Sequence, residues 1–259
     1  MPRAVDWGRS GALPLFPPYE DHAMSVTDKL SALRAHAGAR RTTGLDDATI
    51  ERFAAGHPDL VEAIDAAAEA YEAVRKDHAD LLDLDEDAQV RKVQAGFVNF
   101  YPQDGVNPYV ALTARGAWIV TLKGAVLYDT GGYGMLGFGH APAPVIQAMA
   151  RPQAMANIMT PSISQMMLDR ALRAEIGHTR GGCPFEAFMC LNSGSESVSL
   201  AARIADTNAK TMTDPGGRHA GRTVKRLVVK GGFHGRTEAP GLYSNSTRKT
   251  YEQALASYR

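Results

Sequence analysis

An α/β fold with a largely parallel sheet is predicted by two observations on the second half of the chain. Helix-like and strand-like pieces alternate there: SISQMMLDRALRAEIG, FEAFMCL, ESVSLAARIADTNAK and KRLVVK. The two short apolar runs flank a helix with Val198, Ala201, Ala202 and Ala205 on one face, and a strand–helix–strand unit joins parallel strands. Such alternation is the pattern of layered α/β domains. At 259 residues, 44% of them hydrophobic, the chain is long enough to bury a substantial core.

Residues 1–24 carry charges and paired prolines where a secretory leader needs an uninterrupted apolar run, so an irregular extension is expected. Met24, followed by SVTDKLSALRAHA, is an alternative start. Residues 25–95 read as helical, with Leu60, Ile64, Ala67, Ala68 and Tyr71 recurring at helical spacing. Residues 96–160 turn Gly-, Pro- and Tyr-rich, with strand-like AWIVTL and AVLYD between turn signals, as an irregular, ligand-facing segment does. Residues 161–259 carry the α/β alternation.

Charge narrows the function classes. Lys and Arg number 28 against 28 Asp and Glu, so there is no electrostatic case for nucleic acid or an anionic membrane surface. No window reaches the roughly 18 consecutive apolar residues of a membrane span. The only cysteines, Cys183 and Cys190, form neither a disulfide framework nor a paired zinc-ligand spacing, and a cytoplasmic location is expected.

Three motifs carry chemistry. In LNSGSESVSLAARIA, a glycine and several hydroxyls follow a strand-like run and open a helix, where ligands sit in α/β sheets. Unpaired amides and the positive end of the helix dipole suit an anion there. Gly194 and Ser195 are the candidates to present amides to a phosphate, with Ser193 or Ser195 adding a hydroxyl. The competing reading is a plain N-cap by Ser193 or Ser195 with Glu196 in the first turn. In GGFHGRT, glycines flank Phe233 and His234, which suits a ring and an imidazole aimed into a crevice. A core phenylalanine beside a satisfied polar histidine is the alternative. In LYDTGGYGMLGFGH, Tyr133 and His140 are the polar tips of a glycine-rich run that otherwise reads as a surface connection.

With these three in this order, the sequence resembles the class III aminotransferases, pyridoxal-phosphate (PLP) enzymes of fold type I that include ornithine and acetylornithine aminotransferases. YDTGGYGMLGFGHAPAPVIQAM resembles that family's Gly-His block, LNSGSESVSLAARIA its NSG-[STA]-E-A turn, and GGFHGRT its [YF]HGRT element. The resemblance implies that Gly194 and Ser195 bind the PLP phosphate, that Phe233 lies against the pyridine ring, and that His234 supports it. It also implies a substrate contact for Tyr133 and a homodimer. Ser197 departs from the usual alanine, Ala141 from a usual polar residue, and the helical segment is longer than usual before these blocks.

The same resemblance calls for a Schiff-base lysine and an acidic partner for the pyridine nitrogen, both well beyond HGRT. Residues 238–259 hold only Lys249, too near that motif to match, and LDEDAQ at residues 84–89 precedes the phosphate turn with no matching glycine run. No catalytic residue is therefore assigned, and the terminal RKTYEQALASYR reads as a helix without a C-cap glycine. The expectation is the N-terminal portion of a PLP-dependent aminotransferase that exchanges an amino group between an amino donor and a keto acid, inactive on its own. Racemase, mutase and decarboxylase chemistry stay open. The alternative is a non-catalytic PLP- or phosphate-binding interaction module. A sugar-phosphate or nucleotide binder is a third.

Overall fold

A computed structural model describes residues 24–99, 105–131, 137–152, 154 and 159–256 of the chain. The chain divides into two compact units, Met1–Gln153 and Ala154–Arg259. The expected irregular extension, apart from Met24, lies outside the described residues.

The first unit begins with helices α1 (Val26–Arg34), α2 (Asp47–Ala54), α3 (Pro58–Asp77), α4 (Ala79–Leu82) and α5 (Glu86–Gln94). Ser25 opens α1 by accepting the Asp28 N–H while the Asp28 carboxylate accepts the Ser25 N–H, a reciprocal cap. Pro58 starts α3 where its missing N–H costs nothing. Leu60, Ala63, Ile64, Ala67 and Tyr71 form the buried stripe of α3, as their spacing predicts.

That stripe faces an antiparallel sheet of β1 (Ala111–Arg115), β2 (Trp118–Thr121) and β3 (Val126–Tyr128), in the order β1-β2-β3. Trp118 stands opposite Arg115 on one side and Tyr128 on the other. The tight β1–β2 connection needs Gly116, whose φ of 53° lies in the left-handed region, and a Cβ there would sit 2.5 Å from Asp59 Oδ2. The core joins Leu30, Leu33, Ile50, Leu60, Ile64 and Leu82 of the helices to Trp118, Val120 and Val126 of the sheet and Leu122 of the β2–β3 turn. The strand-like AWIVTL and AVLYD runs are thus β2 and β3.

Carboxylates zip the α1–α2 connection onto the α4–α5 junction. Asp85 accepts the Ala39 N–H at 2.7 Å, and Glu86 Oε2 accepts the Arg41 and Thr42 N–H groups at 2.8 Å each. Lys123, on the β2–β3 turn, is 1% exposed and donates to the carbonyls of Ala37 and Leu82 at 2.5 and 2.9 Å. Burial pushes its amine below the usual lysine range, and the Asp83 carboxylate acts in the opposite sense. Helix α6 (Ala143–Met149) closes the unit.

The second unit contains α7 (Ile163–Gly177), α8 (Gly194–Thr213), α9 (Glu238–Tyr243), a 3₁₀ turn (Asn245–Thr247) and α10 (Arg248–Ala254). Arg173 of α7 ties the following segment down through the carbonyls of Phe185 and Glu186, at 2.9 and 2.6 Å. No helix among the described residues is long and apolar enough to cross a membrane.

One expectation is corrected. The fold is α/β, but the sheet is small and antiparallel, and FEAFMCL and KRLVVK enter no strand ladder among the described residues. A strand is defined by the neighbour that takes up its backbone hydrogen bonds, and neither run meets one. Their apolar side chains are correspondingly open: Phe185 is 54% exposed and Leu227 99%. The core thus resides in the first unit, while the second is held by caps and turns. Leu60→Ala is expected to lower stability by about 2–5 kcal/mol, whereas Leu227→Ala stays within about 0.5 kcal/mol, measured by urea unfolding.

Candidate functional site

The start of α8 is built by reciprocal capping. Ser193 is its N-cap, and the Ser193 hydroxyl accepts the Glu196 N–H at 3.2 Å. The Glu196 carboxylate turns back and accepts the N–H groups of Asn192 and Ser193 at 2.9 and 3.1 Å. The cap reading of this motif therefore holds for Ser193, and it leaves the anion reading room. A helix start presents several amides without intrahelical partners. Here the cap takes those of Asn192, Ser193 and Glu196, and no described residue accepts from Gly194 N–H or Ser195 N–H.

The surroundings of these two amides are open. Gly194 is exposed, and a Cβ built on it meets nothing within 4 Å. Ser195 is half-buried, with its hydroxyl beside Gly235: a Cβ at Gly235 would lie 2.2 Å from Ser195 Oγ. Gly235 has a φ of 118°, so a side chain there is excluded both by backbone conformation and by its neighbour. The contact joins two of the three motifs, bringing the GGFHGRT loop against the first turn of α8.

That loop hangs on a residue that motif reading did not find. Ser244 is completely buried between α9 and the 3₁₀ turn. Its hydroxyl accepts the His234 N–H at 2.9 Å and lies 2.9 Å from the carbonyl oxygens of both Gly235 and Pro240, which share its single proton. Asn245 accepts the Gly231 N–H at 2.7 Å, and the Ser246 N–H reaches the Gly232 carbonyl at 3.2 Å. The SNST run thus holds the loop from Gly231 to Gly235. Serine and asparagine in a turn are too common to signal this from sequence.

Phe233 is 55% exposed, and the Arg236 guanidinium stands over its ring at 5.7 Å from the centroid. His234 is exposed. Tyr133 lies outside the described residues. His140, the other polar tip of the glycine-rich run, pairs with Asp129 in the first unit, Nε2 to Oδ2 at 2.9 Å.

Removing the Ser244 hydroxyl strips the part-buried His234 N–H of its acceptor, which costs about 1–3 kcal/mol. Ser244→Ala is accordingly expected to speed exchange of the His234 amide in native-state hydrogen exchange while leaving the Leu60 amide unchanged. Gly235→Ala is expected to do the same through its clash with Ser195.

Comparison with curated proteins returns no match, and comparison with solved structures returns none either. The family model described as Aminotransferase class-III matches residues 100–256, and its span includes the Gly-His block, the α8 start and the GGFHGRT loop. That span is more than half of the 259 residues, and the chain belongs to the class III aminotransferases.

Proposed function

We propose that this chain provides the phosphate cup and ring support of a PLP-dependent aminotransferase of the ornithine/acetylornithine type, acting between an amino donor and a keto acid. The family is PLP-dependent and of fold type I. The observation that carries the proposal is the pair of amides, Gly194 N–H and Ser195 N–H, that no described residue claims at the start of a 20-residue helix, with the Ser195 side chain against Gly235.

The residues fit the cofactor's phosphate on their own geometry. Two adjacent N–H donors point from a helix start, where the helix dipole favours an anion by roughly 0.3–1 kcal/mol. The absence of a Cβ on Gly194 leaves the phosphate free to approach the backbone. Ser195 adds a hydroxyl donor. Glu196, the nearest carboxylate in sequence, is engaged by the amides of Asn192 and Ser193.

Phe233 offers a half-open ring with Arg236 over it, and the proposal gives its remaining face to the pyridine ring. Such stacking is worth about 0.5–1.5 kcal/mol beyond area burial. His234 supports that ring through its backbone tie to Ser244. Tyr133 is proposed as a substrate contact. When bound, the cofactor supplies an electron sink for the transfer of the amino group. The proposal assigns the lysine that holds its aldehyde to no residue of this chain and takes it from elsewhere.

Titration of the purified chain with PLP, monitored by isothermal titration calorimetry, tests the reading. Saturable binding is expected, and Ser195→Asp, which places a carboxylate where the phosphate sits, is expected to weaken it by about tenfold or more, roughly 1.4 kcal/mol. Equal binding by the variant contradicts the cup. Borohydride treatment is expected to trap no covalent adduct, and a stoichiometric adduct overturns the assignment of the lysine elsewhere.

A further inference from the structure

The second unit carries an edge to which neither the cup nor the ring support contributes a residue. Between Arg222 and Val229 the chain forms neither helix nor turn, and no described residue bonds to the N–H groups of Thr223 to Lys230. Of the carbonyls in the same stretch only that of Val229 is taken, by the Gly232 N–H at 3.0 Å. A run of unpaired backbone donors and acceptors is a template for a further strand.

One side of the run is tied to its own unit. Arg226 reaches back to Asp206 of α8 at 2.8 Å and stands over the Tyr243 ring of α9 at 5.3 Å from the centroid. Side chains alternate along an extended chain, so Leu227 and Val229 point away from that anchor. They are 99% and 72% exposed, against 38% for Val228 between them.

Charge selects the occupant. Residues 215–230 contain Arg218, Arg222, Lys225, Arg226 and Lys230 and no carboxylate. Arg226 is engaged by Asp206, whereas Arg218, Arg222, Lys225 and Lys230 are exposed and pair with no described residue. A second copy of the run would bring the same cations alongside, and like charges facing each other across a strand pair are destabilising. The other uncovered run of this unit, FEAFMCL, offers one carboxylate, Glu186, and is fastened to α7 through the Phe185 and Glu186 carbonyls. A phosphate backbone is held by cations and gains nothing from Leu227 and Val229. The surface therefore suits a chain that is acidic, extended and apolar at alternate positions.

We infer that residues 223–230 bind an acidic polypeptide segment of a partner protein by strand addition. The partner's main chain takes up the free N–H and C=O groups of one edge, and its apolar side chains cover Leu227 and Val229. Its carboxylates meet Lys225 and Lys230, with Arg218 and Arg222 extending the attraction. Main-chain hydrogen bonds supply the hold, while the cations set the sign of the partner and raise its encounter rate.

Fluorescence anisotropy of a labelled octapeptide of alternating glutamate and valine, titrated with the full chain, tests it. This peptide is expected to bind saturably and a lysine–valine octapeptide not. A glutamate–proline octapeptide keeps the charge, lacks half of the N–H donors and takes polyproline-II geometry, so its affinity is expected to fall about tenfold or more. The double variant Lys225→Glu, Lys230→Glu is expected to weaken binding of the glutamate–valine peptide by about tenfold or more. On saturation, hydrogen exchange is expected to slow at alternate amides between Thr223 and Lys230, a pattern that charge attraction alone does not give. Equal binding of the glutamate–proline peptide, or unchanged exchange at these amides, overturns strand addition. Wild-type affinity in the charge-reversed variant overturns the choice of an acidic partner. Tighter binding of a single-stranded oligonucleotide or of phosphatidylserine vesicles than of the glutamate–valine peptide assigns the cations to another polyanion and overturns the inference as well.

Discussion

Burial of the α3 stripe against the β1–β2–β3 hairpins is the interaction on which the first unit depends. Leu60, Ile64 and Tyr71 meet Trp118, Val120 and Val126, and helices α1, α2 and α4 add Leu30, Leu33, Ile50 and Leu82 to the same core. The order of strands follows from local turns, so the sheet needs no long connection to close. Lys123 shows how far the burial reaches: its amine is enclosed only because one carbonyl from the α1–α2 connection and one from the end of α4 converge on it. The same hairpin sets Gly116 opposite His140, so the polar pair at the Gly-rich segment inherits its position from the hydrophobic core.

The second unit depends on a different constraint, the satisfaction of backbone groups at helix starts and turns. Ser193 and Glu196 consume three amides of the α8 start and leave Gly194 and Ser195 as the next in line. Ser244 takes up the His234 N–H and reaches the carbonyls of Gly235 and Pro240. A site of this kind is made by what the cap does not use. Buried residues in this unit, such as Gly235, Pro240 and Ser244, gather at the contact between the GGFHGRT loop and the α9 turn, which makes this the best-packed place in the unit.

Much of this was legible in the sequence where the determining interaction is local. The α3 stripe, the cap at the start of α8 (Ser193 or Ser195 in the sequence) and the β2 and β3 runs are each set by residues within a few positions of one another, so spacing and turn chemistry reveal them. The parallel sheet was not, because FEAFMCL and KRLVVK have the composition of buried strands but composition names no partner, and among the described residues they find none. Lys123 and Ser244 were equally invisible: each is polar, and its burial is decided by elements 41 and 10 residues away in the chain. The adjacency of Ser195 and Gly235 was foreshadowed only by the order of the motifs.

The central claim is that the two amides left over by the cap are the ones that hold a phosphate. The most direct measurement is the backbone ¹H–¹⁵N spectrum of the labelled chain during titration with PLP and, separately, with pyridoxal, which lacks the phosphate. The account predicts that the Gly194 and Ser195 amide resonances move downfield with PLP and stay in place with pyridoxal. Binding of PLP that leaves both resonances unmoved contradicts it.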